Sequence, residues 1–306
     1  MKGLFLDWFT PGSRWGIGVS GGGDSIALLH LLVAQFGAAP FQAVLVNHGW
    51  NAAFAKKCQQ AVAHECKKFG VPLTIIKTPG GKAKTNAEAA ARKSRYTAFA
   101  QACAEHTLSG IALGHTQTDV AEQFLMRAGK GSGLAGLSGI PAQNTVAGVQ
   151  VVRPLLTISR ADLRTWLKRK KIQWVEDPGN AASTRGKIRS RLKGNWLPEQ
   201  SIAASTSSLA RANAALEQWL AKLLQNVTVT KTGWSCERQW LLQLPEEMSL
   251  RLLGTLVKDD TADFAPRTGK RQTLLAKITA SEKGTATLGA FKLNWAKGAL
   301  HGTRLT

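Results

Sequence analysis

Acidic side chains are scarce in this 306-residue chain. Asp and Glu number 19 against 40 Lys and Arg, a formal net charge of +21 with neutral His. An imbalance of that size points to a polyanionic partner, nucleic acid before a membrane surface. Cysteine is sparse too. Cys58, Cys66, Cys103 and Cys236 form no C-x-x-C pair, so no thioredoxin-like redox pair and no Cys-pair zinc site is written here, and reduced, mostly buried thiols are expected. No apolar run reaches the roughly 18 residues of a membrane span, so no membrane partner is expected. No basic segment followed by a long apolar stretch opens the chain, so a cytoplasmic location without a cleaved export signal is expected. Walker A is missing as well, because no Gly-Lys is followed by Ser or Thr. What is present is a 44% apolar composition, enough for a substantial core.

The first half alternates short apolar runs with helical patterns. Strands are expected over 15–20, 41–47, 73–77 and 110–114, with helices over 25–36, 52–69, 86–106 and 119–128. That alternation is the signature of an α/β fold, an open parallel sheet with helices on both faces, which binds ligands at the carboxyl ends of its strands. Beyond residue 153 the pattern becomes helical over 159–171, 184–196 and 201–224. A strand is then expected over 227–230, a helix over 248–257, and a closing hairpin of 286–295 with 299–304. Two domains are expected, 1–200 and a connector helix with a smaller α+β domain over 201–306. Residues 153–193 hold 12 basic and 3 acidic side chains, so the positive charge is concentrated just before that boundary.

The most informative residues are Ser20-Gly21-Gly22-Gly23-Asp24-Ser25, between a buried strand and a helix. The glycines let the backbone turn sharply and bring N–H groups close to an anion. The helix N-terminus adds positive potential. Ser20 and Ser25 offer hydroxyls, and Asp24 can hold Mg²⁺ or a water on it. Gly16, Gly18 and Gly21 also fit G-x-G-x-x-G. The first two lie inside the strand, however, and the second strand ends in Asn47 rather than the acid a dinucleotide fold needs for its ribose.

Ser20 to Ser25 resembles the S-G-G-x-D-S pyrophosphate loop of the N-type ATP pyrophosphatases. Further motifs, in order, resemble those of the tRNA(Ile)-lysidine synthases. They are Glu88-Ala89-Ala90-Ala91-Arg92 through Arg95-Tyr96, Gly114-His115 through Asp119 and Glu122, Gly131-Ser132-Gly133-Leu134, Arg153-Pro154-Leu155-Leu156, and Glu176-Asp177-Pro178 followed by Arg185-Gly186-Lys187-Ile188-Arg189. Three positions depart from the pattern. Asn47-His48-Gly49-Trp50-Asn51 stands for D-H-G-L-R, Thr118-Asp119 for an acidic pair, and Lys130 for an Arg.

The resemblance implies a ligase that uses ATP and Mg²⁺ to join L-lysine to the wobble cytidine of an isoleucine tRNA with a CAU anticodon. The C2 carbonyl oxygen would attack the α-phosphorus, and the lysine ε-amine would then expel AMP, so the protein supplies positioning and charge neutralisation. Implied for ATP are Ser20, Gly21, Gly22, Gly23, Asp24, Ser25, Asn47, His48 and Arg92. Implied for catalysis are Asp24, Arg95, His115, Asp119, Glu122 and Arg189, with Asp24 and Asp119 as Mg²⁺ ligands. Glu122 shares a helix face with Asp119 and could receive the lysine ammonium. Arg160, Arg164, Lys168, Arg169, Arg185, Lys187 and Arg191 are expected to form a surface for the tRNA backbone. Oligomeric state, monomer or homodimer, stays open. The rivals are a tRNA 2-thiolase, which needs a cysteine pair for sulfur, and a non-catalytic tRNA-binding protein on the same fold.

Overall fold

The computed structural model describes residues 3–49, 51–78, 87–176, 184–192, 197–258, 266–296 and 298–305, and leaves the side chains of 87, 88, 184 and 191 outside that description. The chain divides into two compact units, Met1–Ala210 and Arg211–Thr306.

In the first unit, β1 (Trp15–Val19), β2 (Phe41–Asn47), β3 (Leu73–Lys77) and β4 (Gly110–Leu113) pair in parallel. Between them run α1 (Gly23–Phe36), α2 (Ala52–Phe69) and α3 (Ala87–His106). Side-chain alternation along the strands assigns the two faces of the sheet. Phe41, Ala43 and Leu45 of β2 join Ile17 and Val19 of β1 and the buried leucines of α1 in one core. Val44 faces the other way, into a core with Tyr96, Phe99 and Ala102 of α3 and Ile111 of β4. Gly16 and Gly18 have a packing reason. A Cβ on either would lie 2.3 Å from Ile111 Cδ1 or 2.5 Å from Leu113 Cδ2.

The chain continues through α4 (Gln117–Ala128), the single turn α5 (Leu134–Leu137), β5 (Gln143–Val146), β6 (Val149–Val152), α6 (Arg160–Arg169), α7 (Thr184–Leu192) and α8 (Glu199–Leu223). The sheet order is β3-β2-β1-β4-β6-β5. It is parallel except for its last strand: β6 pairs in parallel with β4, and β5 folds back antiparallel on β6. The expected open parallel sheet thus carries one antiparallel edge strand. The hairpin turns at Ala147 and Gly148, both at positive φ, and its four-residue strands carry too short an alternation to announce themselves. Because β2 and β4 lie on opposite sides of β1, the winding reverses between β1 and β4. A crevice opens there at the carboxyl ends of the strands.

In the second unit, β7 (Thr228–Val229), β8 (Gly233–Glu237), α9 (Arg238–Gln243), α10 (Glu246–Leu256), α11 (Thr268–Ala280), β9 (Gly284–Leu288), β10 (Phe291–Ala296) and β11 (Ala299–Arg304) follow α8. An antiparallel sheet, ordered β7-β8-β11-β10-β9, packs Trp234, Leu293, Trp295 and Leu300 against α10 and α11. The expected strand over 286–295 is broken at Gly289, whose φ of +61° admits the turn, so the closing hairpin is three strands. Arg238 donates to the Ile278 and Ser281 carbonyls at the end of α11, groups that a helix leaves unsatisfied. The four cysteines are free, and only Cys103 is partly exposed. No helix among the described residues is long and apolar enough to cross a membrane.

One buried polar pair stands inside the first core. His30 Nε2 of α1 lies 2.7 Å from Glu65 Oε2 of α2, and both side chains are under 10% exposed. Burial holds the imidazole below its usual range, against the pull of Glu65. His30→Leu strands a buried carboxylate and is expected to lower stability by about 3 kcal/mol in urea unfolding, most of it restored by adding Glu65→Leu. The imidazole takes up its proton more readily unfolded than folded, so wild-type stability falls as pH drops through 6.5. That component of the pH dependence is expected to vanish in His30→Leu.

Candidate functional site

Two strand-to-helix loops meet at the crevice, one after β1 and one after β4. In the first, Ser25 Oγ donates to the Gly22 carbonyl at 2.8 Å and accepts from the Ser20 N–H at 3.1 Å, while Ser20 Oγ lies 3.2 Å from it. The two serines thus hold the loop closed before any ligand enters. Gly21 sits at φ +82°, with its Cβ position 3.0 Å from Cys58 Cα of α2, so turn and contact both require glycine. The residue at the start of α1, Gly22, has no side chain to cap the first turn. Its amides are left for an anion.

In the second loop, Thr116 caps α4. Asp119 Oδ2 accepts from the Thr116 N–H at 2.8 Å and from its hydroxyl at 2.7 Å, completing a capping box. The other oxygen, Oδ1, accepts from Arg160. Gly114 brings the loops together, since a Cβ there would lie 2.9 Å from the Asp24 carbonyl oxygen.

The carboxylates of Asp24, Asp119 and Glu122 converge on Arg160. Its Nε donates to Asp24 Oδ2 at 2.8 Å, Nη2 to Asp119 Oδ1 at 3.0 Å and Nη1 to Glu122 Oε1 at 3.2 Å. Arg164 lies 3.6 Å from Asp24 Oδ1, and Arg189 Nε donates to Glu122 Oε1 at 2.6 Å. Three acids therefore face three guanidinium groups. Burial raises the Asp24 carboxyl above its usual range despite Arg160 and Arg164. Burial acts on Asp119 in the same sense, but Arg160 and the Thr116 hydrogen bonds outweigh it and hold that carboxyl low. Burial pushes the His115 imidazole down to about 4, so it is neutral at physiological pH. Asp24, Arg160, Arg164 and Arg189 line a cavity of about 590 Å³, floored by the glycine loop and walled by α6 and Glu199, while Asp119 and Glu122 are buried behind Arg160.

Asn47, His48, Arg92 and Arg95 are not among the residues that line this cavity. Asn47 and His48 occupy the end of β2, where Asn47 Oδ1 accepts from the Gly49 N–H and His48 Nδ1 is 3.0 Å from Thr78 Oγ1. Arg92 and Arg95 are exposed on α3, Arg92 over the Tyr96 ring at 4.9 Å. The basic stretch splits in two. Lys168, Arg169 and Lys187 face outward as expected. Arg160 and Arg164 do not; the expectation of an open surface is corrected for both, because α6 packs beside α1 and brings them onto buried carboxylates. Arg185 is also turned in, its Nε buried without a hydrogen-bond partner. The Arg191 side chain, Trp50 and the Asp177-Pro178-Gly179-Asn180 segment lie outside the described residues.

The sequence also left four contacts unread. Thr118 Oγ1 donates to Glu199 Oε2 at 2.7 Å and accepts from the Arg160 N–H at 3.0 Å. Trp174 forms a shelf under Arg164 at 5.0 Å. The Val175 N–H donates to the Gly21 carbonyl at 3.0 Å, docking this segment on the glycine loop. Their only sequence signal was proximity to motifs, since the partners are distant in the chain.

A parallel sheet with an uncapped, serine-braced glycine loop at its switch point defines an α/β nucleotide-binding protein of the PP-loop class, and the family model described as PP-loop domain matches residues 2–198. Proteins named tRNA(Ile)-lysidine synthase are similar over most of the chain. That of Novosphingobium aromaticivorans is 32% identical, covering 96% of this chain and 90% of its own. That of Bradyrhizobium diazoefficiens is 34% identical, covering 86% and 77%. That of Ruegeria pomeroyi is 33% identical over 79% of this chain, which spans only 60% of that longer relative. The chain belongs to the tRNA(Ile)-lysidine synthase family of PP-loop proteins. The U34-tRNA thiolase NcsA of Methanococcus maripaludis shares the fold, with a TM-score of 0.57 and 21% identity over 69% of this chain and 76% of that one.

Gly114→Ala tests the closeness of the loops. The added methyl meets main chain, which cannot swing aside, so a loss of about 1–3 kcal/mol in stability is expected. Thermal unfolding and ATP titration are expected to fall together.

Proposed function

We propose that the protein ligates L-lysine to C2 of the wobble cytidine of the CAU-anticodon isoleucine tRNA, releasing pyrophosphate and then AMP, in the cytoplasm. The observation that carries this reading is the convergence of Asp24, Asp119 and Glu122 with Arg160 and Arg189 beside an uncapped glycine loop, in a chain of this family. The loop amides and the hydroxyls of Ser20 and Ser25 receive the β- and γ-phosphates as they depart. The cytidine C2 oxygen forms a bond to the α-phosphorus as the bond to pyrophosphate breaks. The lysine ε-amine then adds at C2, AMP leaves with the former C2 oxygen, and the amine gives up a proton.

The residues present fit a magnesium ion carried on ATP, which takes one or two carboxylates and fills its other positions with phosphate oxygens and waters. Asp24 Oδ1 is buried and has no hydrogen-bond partner, and Asp119 Oδ1 meets Asp24 Oδ2 on the Arg160 guanidinium. When bound, the ion neutralises charge on the phosphates. Glu122 Oε2, also buried without a partner, is the oxygen left for the lysine ammonium. His115 serves as a neutral hydrogen-bonding group rather than a base, its affinity for a proton being too low to take one from an ammonium. Arg92 and Arg95 of α3 and Asn47 and His48 after β2 would receive the nucleotide from outside the cavity lining. Lys168, Arg169, Lys187 and Arg191 contact tRNA phosphates, with Arg185 nearer the anticodon. The second unit adds to tRNA binding or braces the first.

The test is incorporation of labelled L-lysine into a CAU isoleucine tRNA transcript with ATP and Mg²⁺, against a UAU transcript. Incorporation with CAU alone is expected, and Asp24→Asn is expected to lower it by at least about a hundredfold. tRNA affinity should fall steeply between 50 and 200 mM salt, by roughly three orders of magnitude if six phosphates are neutralised. Tight tRNA binding with no lysine transferred and no pyrophosphate released would overturn the ligase reading in favour of a binding protein.

A further inference from the structure

Arg160 opens α6, and its position is fixed from the main chain, since its N–H is tied to Thr118 Oγ1. Each of its three guanidinium nitrogens serves a different carboxylate. The three acids do not depend on it equally. Asp24 is also paired with Arg164 and Glu122 with Arg189. Asp119 has Thr116 on Oδ2, but among the described residues Arg160 is the one cation ion-paired with it. Withdrawing the guanidinium would leave Asp24 and Glu122 with arginine partners. It would uncover two oxygens, Asp24 Oδ2 and Asp119 Oδ1, which already converge on a single cation.

Those two oxygens belong to the residues that suit a nucleotide-borne divalent ion, so Arg160 and such an ion compete for them. The guanidinium has an alternative close by. It borders the same cavity as the glycine loop, where phosphates are expected, and the guanidinium fork matches phosphate as well as it matches carboxylate. With the main chain of α6 anchored, the exchange requires movement of one side chain only.

We propose that Arg160 is an exchangeable counter-ion. It holds Asp24 and Asp119 in the nucleotide-free protein and cedes them to the divalent cation that accompanies ATP, while its guanidinium turns to the phosphates. In the free protein it is a positioning residue, and in the nucleotide complex a binding residue. The proposal rests on the reading of the crevice as an ATP site, but not on which nucleophile follows.

The test uses the full chain without nucleotide and Mn²⁺ alone as the probe, with free Mn²⁺ read by electron paramagnetic resonance. Arg160→Gln is expected to bind Mn²⁺ about tenfold more tightly than wild type, and adding Asp119→Asn is expected to abolish that gain. Arg160→Lys keeps one charge but cannot bridge three acids. It should show a smaller gain, and it decides the question should the Gln variant fail to fold by circular dichroism. With EDTA present, the Gln variant is expected to bind ATP about tenfold more weakly than wild type. Equal Mn²⁺ affinity in wild type and both variants overturns the proposal, as does a gain that survives Asp119→Asn. Unchanged ATP affinity in EDTA overturns its phosphate half. These titrations contain neither tRNA nor lysine. Tightened Mn²⁺ binding in a protein that transfers no lysine would therefore count against the ligase reading alone.

Discussion

Three carboxylates set side by side at the ends of two parallel strands, Asp119 and Glu122 buried and Asp24 half-buried, are tolerable only with cations brought onto them. Asp24 comes from the helix after β1, Asp119 and Glu122 from the helix after β4, and the strands are neighbours, so the acids meet. An uncompensated buried charge costs several kcal/mol. The chain meets that cost with Arg160 and Arg164 from α6 and Arg189 from α7. Much of the first unit follows from this constraint. α6 packs on α1 through Leu163 and Leu167 so that its first turn reaches the glycine loop. α7 packs on α4 so that Arg189 reaches Glu122. The segment after α6 is docked on Gly21, with Trp174 beneath Arg164.

The part of the fold that positions the site was legible because it is written locally. The Phe41–Asn47, Ala52–Phe69 and Leu73–Lys77 elements fall where the apolar period changes from 2 to 3.6, with Asn51 and Gly70 as caps. The glycine loop was legible for the same reason. The β5–β6 hairpin was not, because β5 is an exposed edge with two half-buried residues and offers almost no alternation. In the second unit, β8 and the break at Gly289 depend on cross-strand partners such as Gly302 against Trp234, which no window of sequence contains.

The site residues divide along the same line. Asp24, Asp119 and Glu122 sit at helix starts, so short spacings place them. The basic stretch was read as a single surface because charge in sequence carries no direction. The helical period of α6 turns Arg160 and Arg164, four apart, to the pocket and Arg169 away from it, while Lys168, a turn beyond Arg164, is exposed at the far end of the helix. What the sequence could not supply was the number of acids waiting for those arginines, which is a property of the strand order.

Thr118, where the family pattern has a second acid, shows how tightly the charges are counted. Its hydroxyl accepts from the Arg160 N–H and donates to Glu199, so it links the start of α6 to the start of α8. A carboxylate at 118 could accept from Arg160 but could not donate to Glu199, and would set two like charges in contact. A hydroxyl that both donates and accepts keeps the geometry that holds Arg160 in place while adding no charge. The departure from the family pattern is therefore matched to Glu199, and it leaves Asp119 Oδ1 as the one acidic oxygen at this helix start whose partner is Arg160 alone.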